Sequence, residues 1–190
     1  MNGLCMVVAF SVILTGCVKQ QTQGTMTEPT GDRHMRNVTQ LTFDADNGEA
    51  YFSWDGKKLI FQSSHGGYQC DKIWTMNIDG SDKKMVSPDH SAHTCSFFLP
   101  DGRIVYASTN HLPGACPPRP QTPPGSRYVW PLYPYDIYIA DVDGSHAKRL
   151  TDNPKYDAEP VVSPDGKQIV FGSQRDGDFD IYSMNSDGTN

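Results

Sequence analysis

The stretch SPDGKQIVFGSQRDGDFDIYSMNSDG, residues 163–188, decides the architecture. It holds two Asp-Gly pairs, Asp165-Gly166 and Asp187-Gly188, outside two apolar runs, Ile169-Val170-Phe171 and Ile181-Tyr182-Ser183-Met184. Asp-Gly beside such runs is a hairpin signal, because glycine accepts the positive φ of a tight turn. The stretch therefore predicts two neighbouring strands, each joined through an Asp-Gly turn to a further strand outside it.

The same pattern occurs twice more upstream. Phe52-Ser53-Trp54-Asp55-Gly56-Lys57-Lys58-Leu59-Ile60-Phe61 and Phe98-Leu99-Pro100-Asp101-Gly102-Arg103-Ile104-Val105-Tyr106 repeat its first half. Ile73-Trp74-Thr75-Met76-Asn77-Ile78-Asp79-Gly80 and Ile137-Tyr138-Ile139-Ala140-Asp141-Val142-Asp143-Gly144 repeat its second half. The register holds, since Asp79 to Asp101 and Asp143 to Asp165 are both 22 residues. Asp55 to Asp101 is 46 residues and Asp101 to Asp165 is 64, so the second unit carries an insertion, placed at 111–135. A period near 45 with two hairpins per unit fits the four-stranded antiparallel blade of an all-β propeller. Lys83 to Ser87 and Ala147 to Thr151 supply outer strands, and Asn37-Val38-Thr39-Gln40-Leu41-Thr42 is an orphan copy of one. About three blades are present. Propellers usually close with about four to eight. The strand inventory thus admits a piece of a longer propeller, or half of a six-bladed homodimer in which 37–42 completes the third blade of the other chain.

Residues 163–188 resemble the repeat of the TolB-like β-propeller family, a WD-repeat-like blade, and the resemblance extends over roughly 36–190. It implies a non-catalytic propeller that binds protein partners in the Gram-negative envelope, with a link to Tol-type transport or integrity. No cofactor is implied. A formal net charge of −6 argues against a basic nucleic-acid footprint.

The N-terminus reads as an address. Leu4 to Leu14 is apolar except for Ser11, too short to span a bilayer and suited to the h-region of a signal peptide. Leu14-Thr15-Gly16-Cys17 resembles a bacterial lipobox. That implies removal of 1–16 and lipid on Cys17, whose acyl chains would anchor the protein. Residues 17–35 then form a polar tether. The expected location is the periplasm, attached to a membrane, with the outer membrane favoured.

In a propeller, the loops between second and third strands share one rim with the connections between blades. Cys70, Cys95, Cys116, His65, His90, His93, His111, Asp176 and Asp178 all map to that rim. An oxidising compartment favours a disulfide. Cys70 with Cys95 is the expected pair because adjacent blades place those loops side by side, and Cys95 with Cys116 is the alternative. Spacing alone does not decide connectivity. A metal site from these cysteines and a histidine lacks any C-x-x-C or H-E-x-x-H spacing. The carboxylates Asp176, Asp178 and Asp180, and those of residues 44–49, do not match a calcium-loop spacing, and turn chemistry accounts for them.

The insertion is proline-rich and aromatic. Arg119, Arg127, Tyr128, Trp130, Tyr133 and Tyr135 are the candidate partner-binding residues, since Trp, Tyr and Arg dominate interface hot spots. The alternative is a lid packed on the rim. An enzyme remains the second reading of function, as the propeller part of a peptidase-type hydrolase or as a propeller polysaccharide lyase using the rim histidines. The sequence has no G-x-S-x-G elbow.

Overall fold

Among the described residues of the computed structural model every element is a β-strand, and every pairing is antiparallel. The structure describes residues 36–114, 116–126 and 131–190. The chain divides into two units, Met1–Gln40 and Leu41–Asn190, and the strands belong to the second. The signal peptide, the lipobox with Cys17 and the whole of the tether lie outside the described residues.

The first blade contains β1 (Asn47–Phe52), β2 (Lys58–Ser63), β3 (Lys72–Asn77) and β4 (Lys84–Met85), hydrogen-bonded in that order. The second contains β5 (His93–Phe98), β6 (Ile104–Ser108), β7 (Asp136–Ala140) and β8 (Lys148–Arg149), again in order. The third has three strands, β9 (Asp157–Val162), β10 (Gln168–Ser173) and β11 (Asp180–Asn185). This is the propeller arrangement that the repeat predicts.

The Asp-Gly turns hold the strands in register by local chemistry. The Asp55 and Asp165 carboxylates each accept the N–H two residues on, at 3.1 Å, and a serine hydroxyl at 2.7 Å. The outer turns do the same, with Asp79, Asp143 and Asp187 each accepting the backbone N–H of Ser81, Ser145 and Thr189 at 2.9 Å. These bonds hold all five carboxyls below the usual carboxylate range. The outer turns also touch the preceding outer strand. A Cβ on Gly144 would lie 2.0 Å from the Val86 carbonyl oxygen, so only glycine fits there. Leu150 stands over Gly188, and Leu41 over Gly80, in the same way. Leu41, from the orphan segment, also packs with Leu59, Phe61, Trp74 and Met76 of the first blade.

Each sheet presents a front face to the next blade and a back face to the previous one. Ile60 and Ile73, on the front of the first blade, share a buried cluster with Phe98, Ile104, Tyr106 and Tyr138 on the back of the second. Val105, Ile137 and Ile139 pack likewise against Val162, Ile169, Phe171 and Met184 of the third. Burying one such side chain contributes roughly 1.5–3 kcal/mol, so contact between blades is the main apolar support of the fold.

One regular feature lies outside the pattern of alternation. β1, β5 and β9 each carry a bulge, between Gly48 and Tyr51, Thr94 and Phe97, and Ala158 and Val161. At these bulges Glu49, Cys95 and Glu159 take positive φ of 49°, 51° and 59°. A left-handed non-glycine residue is uncommon and carries local strain. Its recurrence in all three first strands makes it part of the blade.

The bulge also corrects the expected disulfide. Cys70 bonds to Cys116, with Cα atoms 5.6 Å apart, and Cys95 is a free buried thiol. The bulge places Cys95 beside Thr94 Oγ1, at 3.2 Å, in a space lined by Glu49, Tyr51, Ser96 and Glu159. Burial and then the Glu49 carboxylate push its pKa upward. The odd cysteine is therefore Cys95, and the insertion brings Cys116 back to the first blade.

Candidate functional site

The described residues between β6 and β7 form no strand and fold back over the rim where the first two blades meet. The Cys70–Cys116 disulfide fixes one arm of this loop. Beneath it lies a cavity of about 670 Å³. Its floor comes from the head of β1 (Asn47, Gly48, Glu49), from Gln62 on β2, and from Ala92 and Thr94. Cys70 and Asp71 form one wall, and Arg119, Pro120, Thr122, Pro131, Tyr133 and Tyr135 of the insertion form the other.

Gln62 joins the two blades across this floor. Its Oε1 accepts from Thr94 Oγ1 at 2.6 Å and from the Cys95 N–H at 3.0 Å, while its Nε2 donates to Asp71 Oδ2 at 3.2 Å. Asp71 is half-buried, and burial pushes its carboxyl above the usual range. The Arg119 guanidinium pulls it down, and Asp46 and Glu49 push it further up. Three carboxylates thus face one cation within a cavity walled by tyrosine and proline. Such a space is complementary to a positively charged, partly apolar segment.

Of the six candidate residues in the insertion, Arg119 and Tyr133 line this cavity. The Tyr133 hydroxyl donates to the Pro118 carbonyl at 3.2 Å, so the ring braces the loop. Tyr135 also reaches the cavity, but it is buried in the core between Tyr133 and Tyr156, at ring distances of 5.7 and 6.0 Å. It is a packing residue rather than an exposed recognition residue, because it immediately precedes the buried strand β7. Arg127, Tyr128 and Trp130 lie outside the described residues.

The rim histidines are separated rather than gathered. His65 Nδ1 faces Asp44, His90 Nδ1 lies 3.6 Å from Asp89, and His111 Nδ1 lies 3.0 Å from Asp136. His93 is fully buried, with Nε2 at 2.9 Å from the Pro88 carbonyl and 3.0 Å from Ser91 Oγ. Among the described residues, no three His, Cys, Asp or Glu side chains are placed to hold a metal ion. Asp176 accepts the Tyr182 hydroxyl, which satisfies one carboxylate of the acidic segment in the third blade.

Sequence reasoning passed over Gln62 and Asp71, and assigned Glu49 only to turn chemistry within 44–49. A signal existed for Gln62, which occupies the position of Ala107 and Gly172 in the other blades. A long polar side chain at a site otherwise held by the smallest residues marks a local task.

Sheet order, turn chemistry and repeated interblade packing define an antiparallel β-propeller module with a loop-covered cavity on one rim. No family model matches the chain. A segment of 53 residues, 27% of this chain, is 43% identical to the Tol-Pal system protein TolB of Bordetella pertussis and covers 12% of that protein. Among solved structures, TolB from Acinetobacter baumannii superposes with a TM-score of 0.55 at 22% identity, over 80% of this chain and 33% of that one. A putative TolB from Agrobacterium tumefaciens gives a TM-score of 0.57 at 24% identity, over 79% of this chain and 49% of that one. The chain shares the propeller fold of these TolB structures and a local sequence similarity with a TolB protein, and it spans half or less of the length of these relatives.

Proposed function

We propose that this protein is a non-catalytic envelope lipoprotein whose propeller serves as a scaffold for a protein partner in a Tol-type system. The cavity beneath the disulfide-held insertion receives a basic segment of that partner. The observation that carries this reading is the 670 Å³ cavity itself, built from two blades and a tethered loop, with Asp46, Glu49 and Asp71 facing Arg119. The local match to a Tol-Pal system protein supports the choice of partner class. The lipobox-like Leu14-Thr15-Gly16-Cys17 supports periplasmic attachment through lipid on Cys17, with the outer membrane as destination.

The test places a photoreactive amino acid at Arg119 of the full chain in cells and identifies the adduct by mass spectrometry. The expected result is one dominant envelope-protein adduct, lost when Cys70 and Cys116 are both replaced by Ser. Palmitate labelling of the same chain should disappear in Cys17→Ser. An adduct pattern indifferent to the disulfide would refute the loop-covered cavity as the docking site.

A further inference from the structure

Lys72 is fully buried at the head of β3, paired in register with Ser63. Its counterparts, opposite Ser108 and Ser173, are Asp136 and Asp180. Two blades thus hold a carboxylate at this position, and the blade with a cation there is the one in which Cys70 forms its disulfide. The ammonium has three N–H donors. It donates to the Ser91 carbonyl, and its other hydrogen-bond neighbours among the described residues are the two disulfide sulfurs, Cys70 Sγ at 3.4 Å and Cys116 Sγ at 4.0 Å. A disulfide sulfur is neutral and a weak acceptor. A thiolate in the same place would satisfy the ammonium fully, because charge-assisted hydrogen bonds are the strong ones.

The two sulfurs are not equivalent. Cys70 is nearer to Lys72 and is 8% exposed, whereas Cys116 is only partly buried. In thiol–disulfide exchange the attacked sulfur must be accessible, and the departing sulfur leaves faster the lower its thiol pKa. A lysine beside a thiol lowers that pKa. Both criteria select Cys116 for attack and Cys70 for departure. We propose that Cys70–Cys116 is an exchangeable disulfide, opened by a small thiol that attacks Cys116 while Cys70 departs as a thiolate paired with Lys72.

The incoming thiolate forms a bond to Cys116 Sγ, the Cys70–Cys116 bond breaks, and its electron pair goes to Cys70 Sγ. The product is a mixed disulfide on Cys116. A second thiolate attacks that mixed disulfide and releases Cys116 as a thiolate, which takes a proton from water. The two added thiols end as their own disulfide, so a dithiol supplies both equivalents. Lys72 keeps its proton throughout. Burial lowers its pKa, and the carboxylates of Asp89 and Asp71 act in the opposite direction. The Tyr68 ring, 5.3 Å away, also favours the cation, while His93 faces the ammonium with its own pKa depressed. The Ser91 carbonyl oxygen, 3.4 Å from Cys70 Sγ, already accepts from Lys72.

Opening the bridge removes the covalent tie between the Cys70–Asp71 wall of the cavity and the arm that carries Arg119, Pro120 and Thr122. The exchange rests on the contacts around Lys72 and is independent of what the cavity receives.

The test treats the full chain with dithiothreitol at neutral pH and follows loss of the bridge by alkylation and peptide mass spectrometry, in the native protein and in Lys72→Met. Cleavage should be roughly 10-fold slower in Lys72→Met, because the leaving thiolate has lost its cation. Loosened packing would act the other way and quicken cleavage. Two measurements need no variant. Glutathione with iodoacetamide present should leave glutathione on Cys116 and the carbamidomethyl group on Cys70. In the reduced native chain, alkylation of Cys70 should titrate below the free-thiol value of about 8.5. Equal or faster cleavage in Lys72→Met, glutathione on Cys70, or a Cys70 thiol titrating at or above the free value overturns the proposal.

Discussion

Lys72 in the first blade and Asp136 in the second occupy the same position, at the head of the third strand and opposite Ser63 and Ser108. Both are fully buried, yet their charges are opposite. Asp136 is surrounded by donors. Arg149 Nε lies at 2.9 Å, Thr151 Oγ1 at 3.1 Å and the Asn153 N–H at 3.2 Å, while His111 Nδ1 stands 3.0 Å away without completing a hydrogen bond. Burial pushes its carboxyl upward, against Arg149, the Asn153 N–H and His111, which pull it down. The Lys72 ammonium instead donates to the Ser91 carbonyl, lies 3.4 Å from Cys70 Sγ and sits 5.3 Å from the centre of the Tyr68 ring. Burial lowers its pKa. The outer strand changes in step, because Arg149 corresponds to Met85 in the first blade. The repeat fixes the backbone and leaves this buried polar position free to change sign, provided its neighbours change with it.

The largest expected effect comes where the two blades meet, since Lys72 faces His93 at the head of β5. Burial, and after it the Lys72 charge, depresses the His93 pKa from 6.5 to about 3, with His90 adding slightly and the Pro88 carbonyl opposing. Between those values the unfolded chain takes up a proton that the folded chain refuses. Stability from this residue is thus complete above pH 6.5 and is lost as pH falls toward about 3. At about 1.4 kcal/mol per pH unit, the loss has an upper bound of about 5 kcal/mol. Urea unfolding at stepped pH should show this slope in the native chain and a flatter one in His93→Asn. Equal slopes would mean that His93 is protonated in place.

Asp136→Asn tests the second blade alone. It leaves Arg149 facing a neutral amide, and breaking a buried charged cluster costs about 3–5 kcal/mol when one partner is removed. The amide keeps some hydrogen bonds, so about 3 kcal/mol is expected at neutral pH. A loss below about 1 kcal/mol would show that the arginine simply turns to solvent and Asp152, with which it already pairs at 2.9 Å.

Much of the fold was legible because its determinants are local. Asp55, Asp101 and Asp165 bond to the chain two residues on, so their turns can be read without knowing anything distant. The bulges at Glu49, Cys95 and Glu159 were not legible. A non-glycine residue with positive φ has no compositional mark, and only alignment of the three blades shows it. The disulfide was misread for the same reason, since the bulge turns Cys95 away and the path of a long insertion selects Cys116. The cavity was half legible. The insertion announced itself by its prolines and tyrosines, but its opposite wall, Asp71 and Gln62, comes from strand ends whose roles arise only when two blades meet. Tyr135 looked like surface because of its aromatic neighbours, yet its place just before β7 puts it in the core.

The smallest effect is expected at Lys72 itself, and it separates the two blades most cleanly. A buried ammonium held by a carbonyl, a ring and sulfur recovers little of its lost hydration, so an apolar side chain of similar length can replace it at little cost. Lys72→Met should therefore change stability at neutral pH by no more than about 1 kcal/mol in either direction, against the larger loss at Asp136. Removing the Lys72 charge also removes one of the two main influences that depress His93. The His93 pKa rises toward its ordinary value, and the acid-dependent loss begins at the same pH but ends sooner. If Lys72→Met instead cost as much as Asp136→Asn, the bond to the Ser91 carbonyl would be a principal support of the first blade, and the two positions would be equivalent in energy as well as in register.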